Sequence, residues 1–248
     1  FSNELKICKI IQENIQCPYI VNILDTYSDF NYTYLVMEYA PHGDLETFID
    51  RSFKKKKGIT EKIIDRVILQ VNEAIDCLHC NNIIHRDIKS SNILIFDSKT
   101  IKISDFGVSK LLENNIFARS SIGTPYYMSP AIVRGEKYSF NVDYWALGIL
   151  IYKMITNKYP FEAKNLPQLV KKIKDSKYDT YLIPKKYKKL ISDLLNPSYD
   201  KELIEIDKIK RKNEIKDFIS YNCNTFINSP TNNYFRDKLK EPSSNYNP

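Results

Sequence analysis

The apolar positions of the chain fall into a few periodic blocks, separated by polar, proline-rich or glycine-containing joints. From Asn3 to Asn14, Leu5, Cys8, Ile11 and Ile15 recur at three- and four-residue spacing, with Ile7 and Ile10 widening the stripe. That pattern predicts a helix with one buried face, ended by Pro18. Tyr19–Tyr27 and Tyr32–Tyr39 read as two strands, with Ser28 to Asn31 as their turn. Pro41-His42-Gly43-Asp44 breaks the strand pattern and opens a short helix through Ile49. The run Lys54 to Gly58 has the composition of a solvated loop. Thr60–Cys80 is predicted as a strong helix with Thr60 as its N-cap, because Ile63, Ile64, Val67, Ile68, Val71, Ala74, Ile75 and Leu78 keep helical spacing. Ile93–Ile95 and Ile101–Ile103 read as the two short strands of a hairpin. Glu113 to Ser121 is too polar and irregular to pack as core, and Gly123 to Ala131 is a proline-punctuated turn. Asn141–Thr156 is an apolar helix holding the single Trp, Trp145. Shorter amphipathic stretches follow near Leu166–Ile173, Tyr187–Leu195 and Glu214–Ile219. From about Asn222 the chain is Asn/Ser/Pro-rich, which predicts a disordered tail. No internal repeat is visible.

Composition changes this picture little. A chain of 248 residues with 43% hydrophobic content can bury a sizeable core. The formal charge of +7 is a mild basic excess spread over lysine patches, and no stripe of interleaved aromatics points to nucleic acid. Five Cys make an odd number without a framework pattern, and Cys77-x-x-Cys80 has no second pair to complete a zinc site. Reduced cysteines and a reducing compartment, cytoplasmic or nuclear, are expected. No apolar run reaches the length of a membrane span and no signal peptide is visible. Residue 1 is Phe rather than Met, so the native N-terminus is expected upstream.

The chemistry is concentrated in Ile83 to Gly107, I-I-H-R-D-I-K-S-S-N-I-L-I-F-D-S-K-T-I-K-I-S-D-F-G. Asp87 is suited to accept a proton from a hydroxyl, and Lys89 to neutralise a phosphoryl group in transfer. Asn92 and Asp105 supply the oxygens that a hard Mg²⁺ ion takes. The predicted hairpin between them would bring the two back together at one edge.

H-R-D-x-K-x-x-N followed by D-F-G resembles the catalytic and metal-binding signature of eukaryotic protein kinases. The resemblance covers Phe1 to about Tyr221 and implies an α+β, protein-kinase-like fold, with an incomplete small lobe and a mainly helical large lobe. Residues 1–37 would be what remains of the small lobe, namely helix C and two strands. Residues 38–44 would be the hinge, 45–221 the large lobe, and 222–248 a polar tail. By the same resemblance Glu4 matches the helix C glutamate, and Met37 in L-V-M-E-Y-A matches the gatekeeper. The backbones of Glu38 and Ala40 would contact adenine, with Leu94 as the apolar floor beneath it. Asp44 either faces the ribose or caps a helix. Asp143 resembles the helix F aspartate that anchors the catalytic loop backbone, a structural role. Lys89, two after Asp87, and Thr124 in G-T-P-Y-Y follow the Ser/Thr pattern. The stretches D-I-K-S-S-N-I, G-T-P-Y-Y-M-S-P and P-F-E-A-K-N-L-P-Q-L-V-K-K-I resemble the NIMA-related family, and the sterile-type kinases share some of them.

What this implies is transfer of the γ-phosphoryl of ATP to Ser or Thr of a protein substrate, with Mg²⁺ and without nucleic acid or membrane. Arg86 would receive a phosphate carried by Ser120 or Ser121 in the polar segment. Two departures stand out. No Gly-rich loop and no V-A-I-K lysine precede Glu4, so the chain reads either as a fragment of a longer kinase or as a pseudokinase-type scaffold binding partners through the large lobe. The four intact residues Asp87, Lys89, Asn92 and Asp105 favour the fragment, which by itself is expected to be inactive or nearly so. Ser129-Pro130-Ala131 also lacks the family's Glu, so its partner Arg, for which Arg211 is the candidate, is either solvated or served by another acid such as Glu136.

Overall fold

The computed structural model describes residues 2–30, 32–107, 109–111, 125–136 and 140–197. Helix α1 (Ser2–Asn14) turns Ile7, Cys8 and Ile11 inward, as the stripe predicts. Strands β1 (Ile23–Ser28) and β2 (Thr33–Met37) pair antiparallel with Tyr27 opposite Tyr34, and a register shift falls between Ile23 and Asp25. The first strand is shorter than its sequence suggests. Tyr19 to Val21 leaves this hairpin and hydrogen-bonds a different strand, with the Val21 N–H donating to the Ile103 carbonyl (2.9 Å) and the Ile103 N–H to the Tyr19 carbonyl (2.8 Å). Alternation marks a segment as extended but does not name its partner. The second strand also ends early, at Met37, where the Glu38 N–H turns to the Asn22 carbonyl (3.1 Å).

Helix α2 (Leu45–Lys54) runs five residues past the predicted end, because Phe53 in its last turns packs on the core as Phe48, Leu45 and Ile49 do before it. Asp44 caps it, accepting from the Thr47 N–H (2.8 Å) and the Thr47 hydroxyl (3.0 Å). Helix α3 (Glu61–Cys80) is as expected, although Thr60 sits at its N-cap without a side-chain bond. Two-residue β3 (Ile83–Ile84) leads into the loop of residues 85–89. The hairpin of β4 (Ile93–Ile95) and β5 (Ile101–Ile103) follows, in the register Ile93 opposite Ile103. β6 (Lys110–Leu111) pairs back on β3. Residues 19–21 flank β5 and residues 42–44 flank β4, so the hairpin is the middle of a four-segment strip. Its far turn is gripped by α3: the Gln70 amide donates to the Lys99 carbonyl (2.7 Å) and accepts from the Ile101 N–H (2.9 Å).

The remaining body is helical: α4 (Pro130–Arg134), α5 (Asn141–Thr156), α6 (Leu166–Asp175) and α7 (Lys185–Leu194). α5 is buried on nearly every side, as an apolar-all-round helix must be, with α3 against one flank and α7 against another. α7 is also tied to α3 through Asp65, which takes the Lys186 ammonium (2.6 Å) and the Tyr187 hydroxyl (2.9 Å). Among the described residues no helix is long and apolar enough to cross a membrane. The expected Glu113–Ser121 segment, the Glu214–Ile219 stretch, Arg211 and the tail from Asn222 lie outside the described residues. Glu136 faces Arg134 at 3.4 Å on the surface.

Candidate active site

The candidate site assembles where β3, the 85–89 loop and the open end of the β4–β5 hairpin meet. Pairing of Ile93 with Ile103 puts Asn92 and Ser104 side by side, and both the N–H and the hydroxyl of Ser104 donate to the Asn92 carbonyl (2.9 and 3.0 Å). Asn92 and Asp105 therefore leave the hairpin at the same end, as predicted. Asp87 completes the group. Its Oδ2 accepts from the Lys89 ammonium (2.6 Å) and from the Asn92 amide (2.9 Å), while the same Asn92 nitrogen also donates to the Asp87 carbonyl (3.0 Å). Two acceptors around one amide nitrogen fix its orientation and leave the Asn92 Oδ1 for another partner. Asp105 is exposed and sits at φ +68°, with Oδ1 accepting from the Gly107 N–H (3.2 Å). Phe106 beside it is buried.

The loop's shape is set from below by Asp143. This carboxylate is fully buried at the start of α5 and accepts from His79 Nε2 (2.8 Å), the His85 N–H (2.9 Å) and the Arg86 N–H (2.8 Å). Burial alone would raise its pKa. The His79 hydrogen bond and the other donors outweigh that and hold it below the usual carboxylate range. The bond to Arg86 matters because Arg86 sits at φ +68°, a left-handed conformation that costs a non-glycine residue roughly 1–2 kcal/mol. His85 is also fully buried. Burial pushes its pKa down, so it is neutral, with Nε2–H donating to the Ser104 carbonyl (3.2 Å) and Nδ1 accepting from the Asp87 N–H (3.3 Å). One imidazole thus ties the Asp87 backbone to the residue before Asp105.

Of the residues that the sequence assigns to a nucleotide, Leu94 and Asp44 lie in the strip. Met37 is partly exposed at the end of β2. Because the Glu38 N–H is spent on Asn22, what its backbone offers a ligand is the carbonyl; the Ala40 carbonyl accepts weakly from the Gly43 N–H (3.5 Å). Leu94 bridges antiparallel to Asp44, so the two are neighbours across the strip. The Asp44 oxygens are engaged in the helix cap. Glu4 lies in the first turn of α1, and its side chain is outside what the structure describes, as are Ser120, Ser121 and Thr124 altogether.

Sequence reasoning missed a second set of residues. Glu38 holds the Lys102 ammonium (2.6 Å), joining the segment after β2 to β5. Glu46 on α2 pairs with Lys153 of α5 and with the Ser90 hydroxyl of the catalytic loop. Ser90 in turn meets the Tyr127 hydroxyl (3.1 Å), and Lys153 meets the Tyr159 hydroxyl (2.8 Å). Burial would lower the Lys153 pKa, but its bonds to Glu46 and Tyr159 prevail and raise it. Burial also pushes the Tyr127 phenol well above its ordinary value. Glu46 and Lys153 are 107 residues apart, and no spacing rule in the chain pairs them.

Asn92 Oδ1 and the exposed Asp105 carboxylate fit a hard cation. Among the described residues no group of three His, Cys, Asp or Glu side chains could hold a metal alone. Mg²⁺ characteristically binds through one or two side chains and takes its other ligands from phosphate and water.

Comparison with known proteins identifies the family. The family profile described as "Protein kinase domain" matches residues 2–229. The probable serine/threonine-protein kinase nek2 of Dictyostelium discoideum is 34% identical over 227 residues, covering 90% of this chain and 52% of that protein. The serine/threonine-protein kinase nekl-2 of Caenorhabditis elegans is 35% identical over 197 residues, covering 76% of this chain and 55% of that protein. Human serine/threonine-protein kinase Nek5 is 37% identical over 168 residues, covering 66% of this chain and 23% of that protein. The chain thus spans about half, or less, of the length of these curated relatives. With the profile spanning nearly the whole chain and NIMA-related kinases among its relatives, the chain belongs to the protein kinase domain family and is related to the NIMA-related serine/threonine kinases.

Proposed function

We propose that the whole protein transfers the γ-phosphoryl group of ATP to Ser or Thr hydroxyls of protein substrates. The observation that carries this reading is the Asp87 carboxylate held between Lys89 and Asn92, with Asp105 leaving the same hairpin end. Asp87 orients the acceptor hydroxyl and takes its proton, since Oδ2 is fixed by two donors and the side chain stays partly open to solvent. Lys89, one ion pair away, neutralises charge on the transferred oxygens. Asn92 and Asp105 would hold Mg²⁺. When bound, that ion would neutralise phosphate charge and orient the phosphates. Met37, the backbones of Glu38 and Ala40, and Leu94 would frame adenine, with Asp44 near the ribose and Glu4 serving the nucleotide from α1. Arg86 would receive a phosphate on Ser120 or Ser121, and Thr124 would shape the acceptor side. Within this reading residues 1–37 belong to the small lobe, 38–44 to the hinge, 45–221 to the large lobe and 222–248 to the tail. We place the protein in the cytoplasm or nucleus, a reading supported by its odd, unpatterned cysteines.

The test is labelled-phosphate transfer from ATP to a generic Ser/Thr protein substrate by the full-length protein and its Asp87→Asn variant. Loss of about 10²–10⁴-fold in turnover with unchanged thermal stability is expected from removing a positioned base. Equal turnover in the variant would sink the assignment of Asp87.

A further inference from the structure

Beside the catalytic loop lies an open groove of about 760 Å³ that the phosphoryl-transfer roles leave unused. Tyr126, Tyr159, Ala163, Lys164, Gln168 and Lys172 line it, so it is built from the 125–127 turn, the loop after α5 and the first turns of α6. A series of fixed side chains joins it to Asp87. Ser90, three residues past Asp87, meets the Tyr127 hydroxyl. The Tyr127 ring meets Tyr159 edge-on at 5.6 Å, and Tyr159 stacks on Tyr126 at 4.6 Å with the rings 18° apart. Lys153 fixes Tyr159 from behind, through its hydroxyl (2.8 Å) and over its ring (4.4 Å). A wall held this way needs little reordering when a chain binds, which lowers the cost of association. The ring series spans on the order of 10 Å, about three residues of extended polypeptide.

The charge of the groove is uneven. Lys164 and Lys172 are both exposed at its rim. Lys172 spends one of its three donors on the Glu162 carbonyl (2.6 Å). The single acid, Glu162, is partly engaged by the Tyr159 N–H (3.0 Å). Two ammonium groups against one carboxylate, above tyrosine faces, suit an acidic side chain on an extended strand and repel a basic one.

We propose that this groove reads the protein substrate. It seats a segment carrying Asp or Glu roughly three or more residues from the accepting Ser or Thr, and Lys164 and Lys172 set that preference. This deepens the kinase reading and rests on it.

The test uses the full-length protein and Ser peptides that carry Glu, Ala or Lys at each flanking position in turn. Glu on one flank is expected to raise kcat/KM about two- to five-fold over Ala, the range of exposed ion pairs, and high salt to erase the gain. Lys164→Ala/Lys172→Ala is expected to abolish the Glu advantage while leaving the Ala peptide unchanged. Glu162→Gln, which keeps an acceptor for the Tyr159 N–H, is expected to enlarge it. A Glu peptide no better than Ala, or an advantage that survives in the double variant, would overturn the proposal. If no peptide is phosphorylated, the kinase reading itself fails, and anisotropy of a labelled Glu-containing peptide decides the groove. Binding lost in the double variant then upholds it, and no binding overturns it.

Discussion

Asp143→Asn removes one charge at nearly constant volume from the point where α5 meets the catalytic loop. The wild-type carboxylate accepts from His79 Nε2, the His85 N–H and the Arg86 N–H, all within 2.8–2.9 Å. An asparagine offers one oxygen and one NH₂ group, so its NH₂ must face a backbone N–H. Losing one bond to a charged acceptor costs about 1.5–3 kcal/mol, and burying a donor against a donor adds about 1–3 kcal/mol. A loss of about 3–5 kcal/mol follows, the range for breaking a buried ion pair. Because the Asp143 pKa is held below the usual carboxylate range, the stabilisation from its charge is complete above about pH 4 and is lost as pH falls through the folded pKa. Urea unfolding followed by Trp145, the single Trp and two residues further along α5, measures both effects. The gap between wild type and variant should be about 3–5 kcal/mol at neutral pH and should narrow in acid as wild-type Asp143 takes up its proton. A neutral-pH gap under about 1 kcal/mol, or one that persists unchanged in acid, would refute the reasoning.

Two further outcomes test the packing around that anchor. Gly148→Ala places a Cβ 2.9 Å from both Leu194 Cβ and Leu195 Cδ2. The helix gains about 1 kcal/mol from losing a glycine, but overpacking between α5 and the end of α7 costs about 1–3 kcal/mol. A Tm lowered by a few degrees is expected in calorimetry, and a raised Tm would mean that the contact yields. Lys153→Met strands Glu46 beside Ser90 and should cost about 2 kcal/mol, below the fully buried range because Glu46 is about a third exposed. Adding Glu46→Leu should recover much of that loss in a double-mutant cycle, and strictly additive losses would show that the pair is not coupled.

Much of the site was legible because its chemistry is local. Asp87, Lys89 and Asn92 lie within six residues, and Asp105 returns to them across a hairpin whose β-branched strands the sequence displays directly. The helices α1, α3 and α7 were legible for a similar reason, since burial of one face repeats every three or four residues and that period survives in any tertiary context, while α5 shows as a long apolar run. Boundaries were less so. Tyr19–Val21 looks like the start of β1, but its hydrogen bonds go to Ile103, more than 80 positions away, and α2 outlasts its predicted end because Phe53 finds the core. Asp44, read from sequence as either a ribose contact or a cap, caps α2 through the Thr47 N–H.

What only the tertiary structure decided is which polar groups meet. Asp143 could be guessed as a buried anchor, but its partners His79, His85 and Arg86 come from two other elements. Nothing local pairs Glu46 with Lys153, Glu38 with Lys102, or Tyr126 with Tyr159. A backbone hydrogen bond or an apolar stripe is dictated by neighbours along the chain. A buried charge is instead satisfied by whichever donor the packed helices bring within about 3 Å. The sequence alone therefore determined the cluster of Asp87, Lys89, Asn92 and Asp105 and the helices packed around it. Packing around α5 decided how the catalytic loop is held and where the groove beside it opens.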